Sequence, residues 1–117
     1  MRKTRKELIK ILDNLTSQIV RKRGKCERCG RTDKQLFCAH IHPRTKYNTR
    51  FDLENLLALC WSCHNWAHLN PVDFSEFVRE KLGQKKYNDL RIRANLSAKG
   101  QDLEMIKIYL EKELEKL

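Results

Sequence analysis

Cys26-Glu27-Arg28-Cys29-Gly30 and Cys60-Trp61-Ser62-Cys63-His64 are the two stretches whose reading decides the fold. Each carries a Cys-x-x-Cys pair. Two-residue spacing lets both sulfurs of a pair reach one metal, with backbone amides available to the thiolates. Two pairs supply the four ligands of a tetrahedral site, so Cys26, Cys29, Cys60 and Cys63 are expected to hold a structural Zn²⁺. Gly30 suits the tight turn after Cys29. Such a site keeps no position open for water, so its role is to fold the chain rather than to do chemistry. Thirty residues separate the pairs, more than a simple ribbon needs, which predicts an insert between the knuckles. Cys38, the fifth cysteine, lies on a candidate strand and reads as a buried apolar residue, not a ligand.

The insert and the residues just after it hold every histidine of the chain: His40, His42, His64 and His68, within 29 residues. A zinc that ties the knuckles together brings His64 close to the start of the insert in space. Hydrolysis of a phosphodiester needs a base for water, and a metal to hold the phosphate and steady the leaving oxygen. A strand imidazole can be that base, and a facing helix imidazole can hold the metal. His64 and His68 are i and i+4, so they share one helix face and could both point at one ion. An imidazole site of this kind suits Mn²⁺, Zn²⁺ or Ni²⁺, and with water also Mg²⁺.

Ala39-His40-Ile41-His42-Pro43, followed by Asn55-Leu56-Leu57-Ala58-Leu59-Cys60-Trp61-Ser62-Cys63-His64, resembles the HNH endonucleases of the ββα-metal fold. The zinc-knuckle variant is similar to the phage recombination nucleases of the NinG-like group. The likeness covers residues 24–69. It implies an α+β fold: a small hairpin-plus-helix core on a four-Cys zinc knuckle, flanked by an N-terminal helix and C-terminal helices. It also implies a divalent-metal-dependent endonuclease that hydrolyses DNA phosphodiesters by nicking or structure-selective cleavage, with Mg²⁺ or Mn²⁺ as the catalytic ion. By the same resemblance His40 is the general base. Asn55 ties the connecting loop and helps orient the base, and His64 binds the catalytic ion. His68 matches a further position that is His in some members.

One position departs from the pattern. The residue before the base is often an Asp or His that binds the metal; here it is Ala39, which cannot. Three outcomes are open. His68 completes the site; His42, at i+2 from His40, takes the metal; or the protein is a catalytically silent, zinc-stabilised nucleic-acid-binding module. A swapped register, with His42 as base and His40 as ligand, is a further alternative.

The 117 residues carry a net charge of +10, unevenly distributed. Residues 1–59 hold 15 Lys/Arg against 6 Asp/Glu, and residues 60–117 hold 10 against 9. A basic half predicts a polyanion-binding face, and DNA is the expected partner. Arg21, Lys22, Arg23 and Lys25 before the first knuckle, and Arg44, Lys46 and Arg50 in the insert, are the expected phosphate contacts. Arg28, Arg31 and Lys34 continue the same surface. Trp61 and Trp66, flanking a knuckle, are expected in the core. No run of 18 apolar residues exists, which argues against a membrane span. The basic, charge-broken N-terminal stretch is unlike a secretory signal. The expectation is a cytoplasmic monomer or homodimer, acting alone or within a recombination or packaging machine.

Around the insert the chain reads as helices, all within one domain over residues 1–117. Thr4 and Glu7 form a capping box ahead of Leu8, Ile11, Leu12, Leu15 and Ile19, which predicts a basic helix over 5–20 with Gly24 closing it. Residues 35–41 predict a strand ended by Pro43, and His42 to Asn48 a loop. Arg50-Phe51 predicts the start of the return strand, and Asp52 the cap of a turn through Leu56. A helix is expected from Trp61 to Leu69. Residues 70–117 read as a helical extension. Asn70-Pro71 starts it, and Phe74, Phe77, Val78 and Leu82 form a stripe closed by Gly83. A second helix is expected around Tyr87, Leu90 and Ala94. Leu103, Ile106, Leu110, Leu114 and Leu117 mark a last amphipathic helix.

Overall fold

The centre of the fold is an antiparallel hairpin of β1 (Leu36–His40) and β2 (Leu56–Cys60), with Leu36 opposite Cys60 and His40 opposite Leu56. The structure, a computed structural model, describes residues 2–117. All of β2 is buried. Its run Leu56-Leu57-Ala58-Leu59 lacks polar alternation because both faces are covered. The outer edge of β2 is closed by the first knuckle. The Glu27 amide donates to the Ala58 carbonyl at 2.8 Å, and the Ala58 amide donates to the Glu27 carboxylate at 2.7 Å. Glu27 thereby satisfies an edge that would otherwise invite pairing with another chain. No strand pairs with the outer edge of β1 among the described residues.

Helix α1 (Arg5–Arg21) begins with the capping box: the Glu7 amide donates to Thr4 Oγ1 at 3.1 Å and the Thr4 amide to Glu7 Oε1 at 3.4 Å. Leu8, Leu12 and Ile19 from α1 bury against Phe51 and against Leu103 and Leu110 of α6 (Leu103–Glu115), so the two ends of the chain share one core cluster. The second cluster holds the hairpin, Cys63 and Ala67 of α3 (Trp61–Leu69), and Val78 of α4 (Pro71–Leu82). Strand alternation separates the two packing faces. Phe37 stacks on His64 of α3 with ring centroids 6.0 Å apart, and Ala39 shares that parity. Leu36, Cys38 and His40 have the opposite parity, and the edge of β1 opens onto the space between α1 and α3, where Asp13, His40 and His64 line one cleft.

Helix α5 (Gln84–Asn95) packs on α4 and on a short helix α2 (Tyr47–Arg50) inside the insert. Asn48 Nδ2 donates to the Arg93 carbonyl at 2.7 Å, and Gln101 Nε2 to the Tyr47 carbonyl at 2.9 Å. Arg93 Nε reaches Asp52 at 3.0 Å. The helical extension therefore clamps the insert from outside.

Three expectations are corrected. Arg50-Phe51 does not start the return strand: Arg50 ends α2, and Phe51 is buried in the α1–α6 cluster. Asp52 caps a 3₁₀ turn, Leu53–Asn55, through the Glu54 amide, and β2 starts only at Leu56. Asn70 precedes α4 but makes no side-chain cap bond. Its Nδ2 and its amide both go back to the Trp66 carbonyl, so it closes α3 instead. Trp61 is 66% exposed, on the outer side of the first turn of α3, whereas Trp66 packs edge-on against Phe74 and Phe77.

Candidate active site and metal centre

The two knuckles meet. The sulfurs of Cys26, Cys29, Cys60 and Cys63 all lie within 4.8 Å of one another, and Cys29 Sγ is 3.8 Å from Cys60 Sγ. A tetrahedral ion with Zn–S bonds of 2.3 Å has sulfur–sulfur edges of about 3.8 Å, so the donor set fits zinc in both chemistry and spacing. Gly30, at φ +79°, makes the left-handed turn that sends its amide to the Cys26 carbonyl at 2.9 Å. Burial raises the Cys26 thiol, but amides of Cys29, Cys60 and Arg28 outweigh it and bring the group down to about 6. Burial and the neighbouring sulfurs push Cys63 up to about 12, although Arg28 Nη1 approaches its sulfur at 3.5 Å. Four thiolates cannot crowd together without a dication between them. Cys38 stands outside the cluster, and burial raises its thiol to about 11.

A cleft of about 720 Å³ opens along the unpaired edge of β1. His40, the last residue of β1, and His64 and His68 of α3 all line it. The His64 and His68 rings meet edge-on with centroids 4.7 Å apart, as i,i+4 spacing on one helix face dictates. Phe37, Ala67 and Phe74 form the apolar part of the wall. His40 Nε2 is buried and has no hydrogen-bond partner. Burial, and then the charge of Arg44, hold His40 below the ordinary histidine value, while Asp13 pulls the other way. His64 is also lowered, by burial and then by His68. Both rings are thus neutral at pH 7, the form needed for a base or a ligand.

His42 is not in this cleft. It follows β1 on the other side, where burial and then Lys46 and Arg91 keep its ring neutral, and its Nε2 has no partner. The structure therefore does not bring His42 together with His64 and His68. Asn55 is fully buried between the strands. Its Oδ1 accepts the His42 amide at 2.8 Å, its Nδ2 donates to the His42 carbonyl at 3.2 Å, and its carbonyl accepts the Ile41 amide at 2.8 Å. One side chain thus pins the chain where it leaves β1, two residues from His40.

Residues 26–69 match the family model described as HNH endonuclease. This segment is an HNH-family domain. No curated protein and no solved structure matches the chain.

The HNH domain uses several of its cations as internal ties. Arg23, just before it, donates to Glu27 and to the Leu56 carbonyl, both at 2.8 Å, and to the Leu53 carbonyl at 3.2 Å. Arg28 lies 3.5 Å over the Trp66 ring. Arg50 is only 12% exposed and bonds Asp13. These arginines tie the fold internally, while Arg23 and Arg28 are also exposed. Lys46 reaches Asn95 at 3.1 Å. Arg44 bonds Asp13 at 2.7 Å but remains more than half exposed at the rim of the cleft. Arg21, Lys22 and Lys25 are exposed on the approach to the first knuckle.

Two acidic residues that sequence reasoning passed over matter here. Glu27, inside the first Cys-x-x-Cys, closes the edge of β2. Asp13, in the middle of α1, lines the cleft and gathers Arg44 and Arg50. Burial raises its carboxyl, but the two guanidiniums outweigh that and hold it below the usual range. Both Asp13 oxygens are taken by guanidiniums.

Proposed function

We propose that this protein is a divalent-metal-dependent endonuclease that hydrolyses DNA phosphodiesters, with His40 as general base. His64 and His68 are the protein ligands of the catalytic ion. The observation that carries this reading is that His40, with its buried Nε2 unpartnered, lines the same cleft as the edge-on His64–His68 pair, within an HNH-family domain.

His40 is neutral at pH 7, and its Nε2 makes no protein hydrogen bond, so in the tautomer with the proton on Nδ1 it can take a proton from water. His64 and His68 offer two imidazoles from one helix face. Ala39 and the engaged Asp13 offer nothing, so the remaining coordination positions fall to the phosphate and to water. A bound Mg²⁺ or Mn²⁺, or a Ni²⁺ or Zn²⁺ that suits imidazole, supplies charge stabilisation at the phosphate oxygens. Arg44, at the rim, holds a flanking phosphate. Asn55 keeps the end of β1, and with it His40, in place.

Relaxation of supercoiled plasmid in Mg²⁺ or Mn²⁺ tests the proposal. Wild type is expected to nick. His40→Ala is expected to lose about 10²- to 10⁴-fold of the rate, the usual share of a general base, with an unchanged melting curve. Equal rates would remove His40 from the mechanism. DNA binding without cleavage in any of these ions would identify a silent binding module.

A further inference from the structure

We propose that Phe37, on β1, is a positioning residue for His64: the flat face of its ring sets the angle at which the His64 imidazole meets the catalytic ion. The proposal rests on the reading of His64 and His68 as ligands of that ion.

An imidazole turns easily about its last side-chain bond, because that torsion has broad wells rather than sharp ones. Metal-binding histidines are usually held by a hydrogen bond from the second ring nitrogen to a carboxylate or a carbonyl. Among the described residues no protein group hydrogen-bonds the His64 ring. Two other rings pack on it instead. Phe37 lies nearly parallel to it, with 10° between the planes and 6.0 Å between the centroids. His68 meets it edge-on, at 83° and 4.7 Å. Both are arrangements that aromatic rings favour. His68 sits on the same helix as His64, so it moves with α3 and gives the ring no outside reference. Phe37 belongs to another element and does.

Phe37 is well placed for this. It pairs with Leu59 of β2, which is fully buried and directly precedes Cys60 of the thiolate cluster. The stacking face is therefore carried by the most firmly held part of the hairpin, not by a loop. Ala39, the next residue of β1 with the same parity, is buried and offers only a methyl group, so it cannot orient a ring. Two imidazoles are also a small ligand set. With no third protein ligand to fix the ion, a tilt of either ring turns its lone pair away from the metal.

The test uses the full zinc-loaded chain and the variants Phe37→Leu, Phe37→Ile and Phe37→Tyr. Titration with Mn²⁺, followed by paramagnetic broadening of the His64 and His68 ring protons, gives an affinity that needs no cleavage. Nicking against Mn²⁺ concentration and melting curves accompany it. Both aliphatic variants are expected to bind Mn²⁺ about tenfold more weakly, the low end of the loss when a support of a metal ligand is removed. The Mn²⁺ needed for half-maximal nicking should rise by the same factor, while the rate at saturating Mn²⁺ changes less than about threefold, as for a loss of binding alone. Phe37→Tyr keeps the flat face and should bind Mn²⁺ as wild type does. In the Mn²⁺-free chain the His64 ring signals should move toward averaged values in the aliphatic variants and hold in Phe37→Tyr. Unchanged Mn²⁺ affinity in both aliphatic variants would overturn the proposal. So would an affinity loss that follows only the loss of folded protein, or one that Phe37→Tyr shares. If Mn²⁺ broadens neither imidazole of the wild type, the assignment of the ion's ligands fails instead, and the His64 signals of the Mn²⁺-free chain alone decide whether Phe37 sets the ring.

Discussion

Cys63 and His64 are neighbours in sequence on the first turns of α3, yet they serve opposite kinds of site. Cys63 is 2% exposed and joins three other sulfurs in a cluster within 4.8 Å, close enough to share one ion. His64 lines a cleft of about 720 Å³, paired with one further imidazole, and His40, whose buried Nε2 bonds to nothing, lines the same cleft. The first site is complete in protein atoms and can only hold structure. The second leaves open space between its imidazoles, which the proposed reading fills with a phosphate, water and an ion. On the proposed reading, a closed ligand set next to an open one lets a chain this small keep a reactive site without risking its fold.

Zinc removal tests the contrast where the effect is largest. Structural zinc contributes about 10–16 kcal/mol in small zinc-finger peptides, comparable to the whole stability of a small domain. Excess chelator, or Cys63→Ser, should unfold the hairpin and α3. Circular dichroism should lose its sharp melt, and metal analysis should find one zinc per wild-type chain. A melt unchanged by chelator would reverse the roles assigned to the two sites. His40→Ala is the converse case: it should spare the melt and remove cleavage.

An intermediate effect is expected at Asn55, which belongs to both regions. It ends the 3₁₀ turn that leads into the buried strand, and it pins the chain just beyond His40. Asn55→Ala leaves the His42 amide and carbonyl unpaired, at a cost of about 1–3 kcal/mol for a buried polar group. The melting temperature should drop by several degrees, and cleavage should fall by more than the folded fraction does. Asn55→Asp keeps the acceptor for the His42 amide and should restore part of the stability. An activity loss equal to the loss of folded protein would reduce Asn55 to a purely structural tie.

Local spacing made much of this readable before any coordinates. The Cys-x-x-Cys pairs, the Thr4–Glu7 cap, the i,i+4 histidines and the glycine at position 83 each act within five residues, and each does in space what its spacing demands. The unread parts depend on partners far along the chain. Arg50 looks like a surface cation until Asp13, 37 residues earlier, takes it. Arg23 reads as one more exposed cation in a basic run, and its bonds to Glu27 and the Leu56 carbonyl are invisible in the sequence. Phe51 looks like the start of a strand until α1 and α6 bury it. Asp13 itself sits among polar helix positions, where nothing in the periodicity marks a residue aimed at a cleft. The gap at Ala39 was visible, but the carboxylate near His40 comes from another helix, and no local pattern could place it there.

The smallest expected effect separates the cations on the approach to the first knuckle. Lys22 and Lys25 are exposed, while Arg23 between them makes three internal hydrogen bonds. Each phosphate contact contributes about 0.9 to the slope of log affinity against log salt. Lys22→Ala and Lys25→Ala should each lower that slope by about this amount in a DNA-binding titration and leave the melt alone. Arg23→Ala should do the reverse. Its loss strands the Leu56 and Leu53 carbonyls and removes a partner of Glu27, so the melt falls while the slope holds. If instead Arg23→Ala flattens the salt dependence and spares the melt, the basic exit of α1 is a single phosphate-binding run, and the division between cations that hold the fold and cations that meet DNA lies elsewhere on the surface.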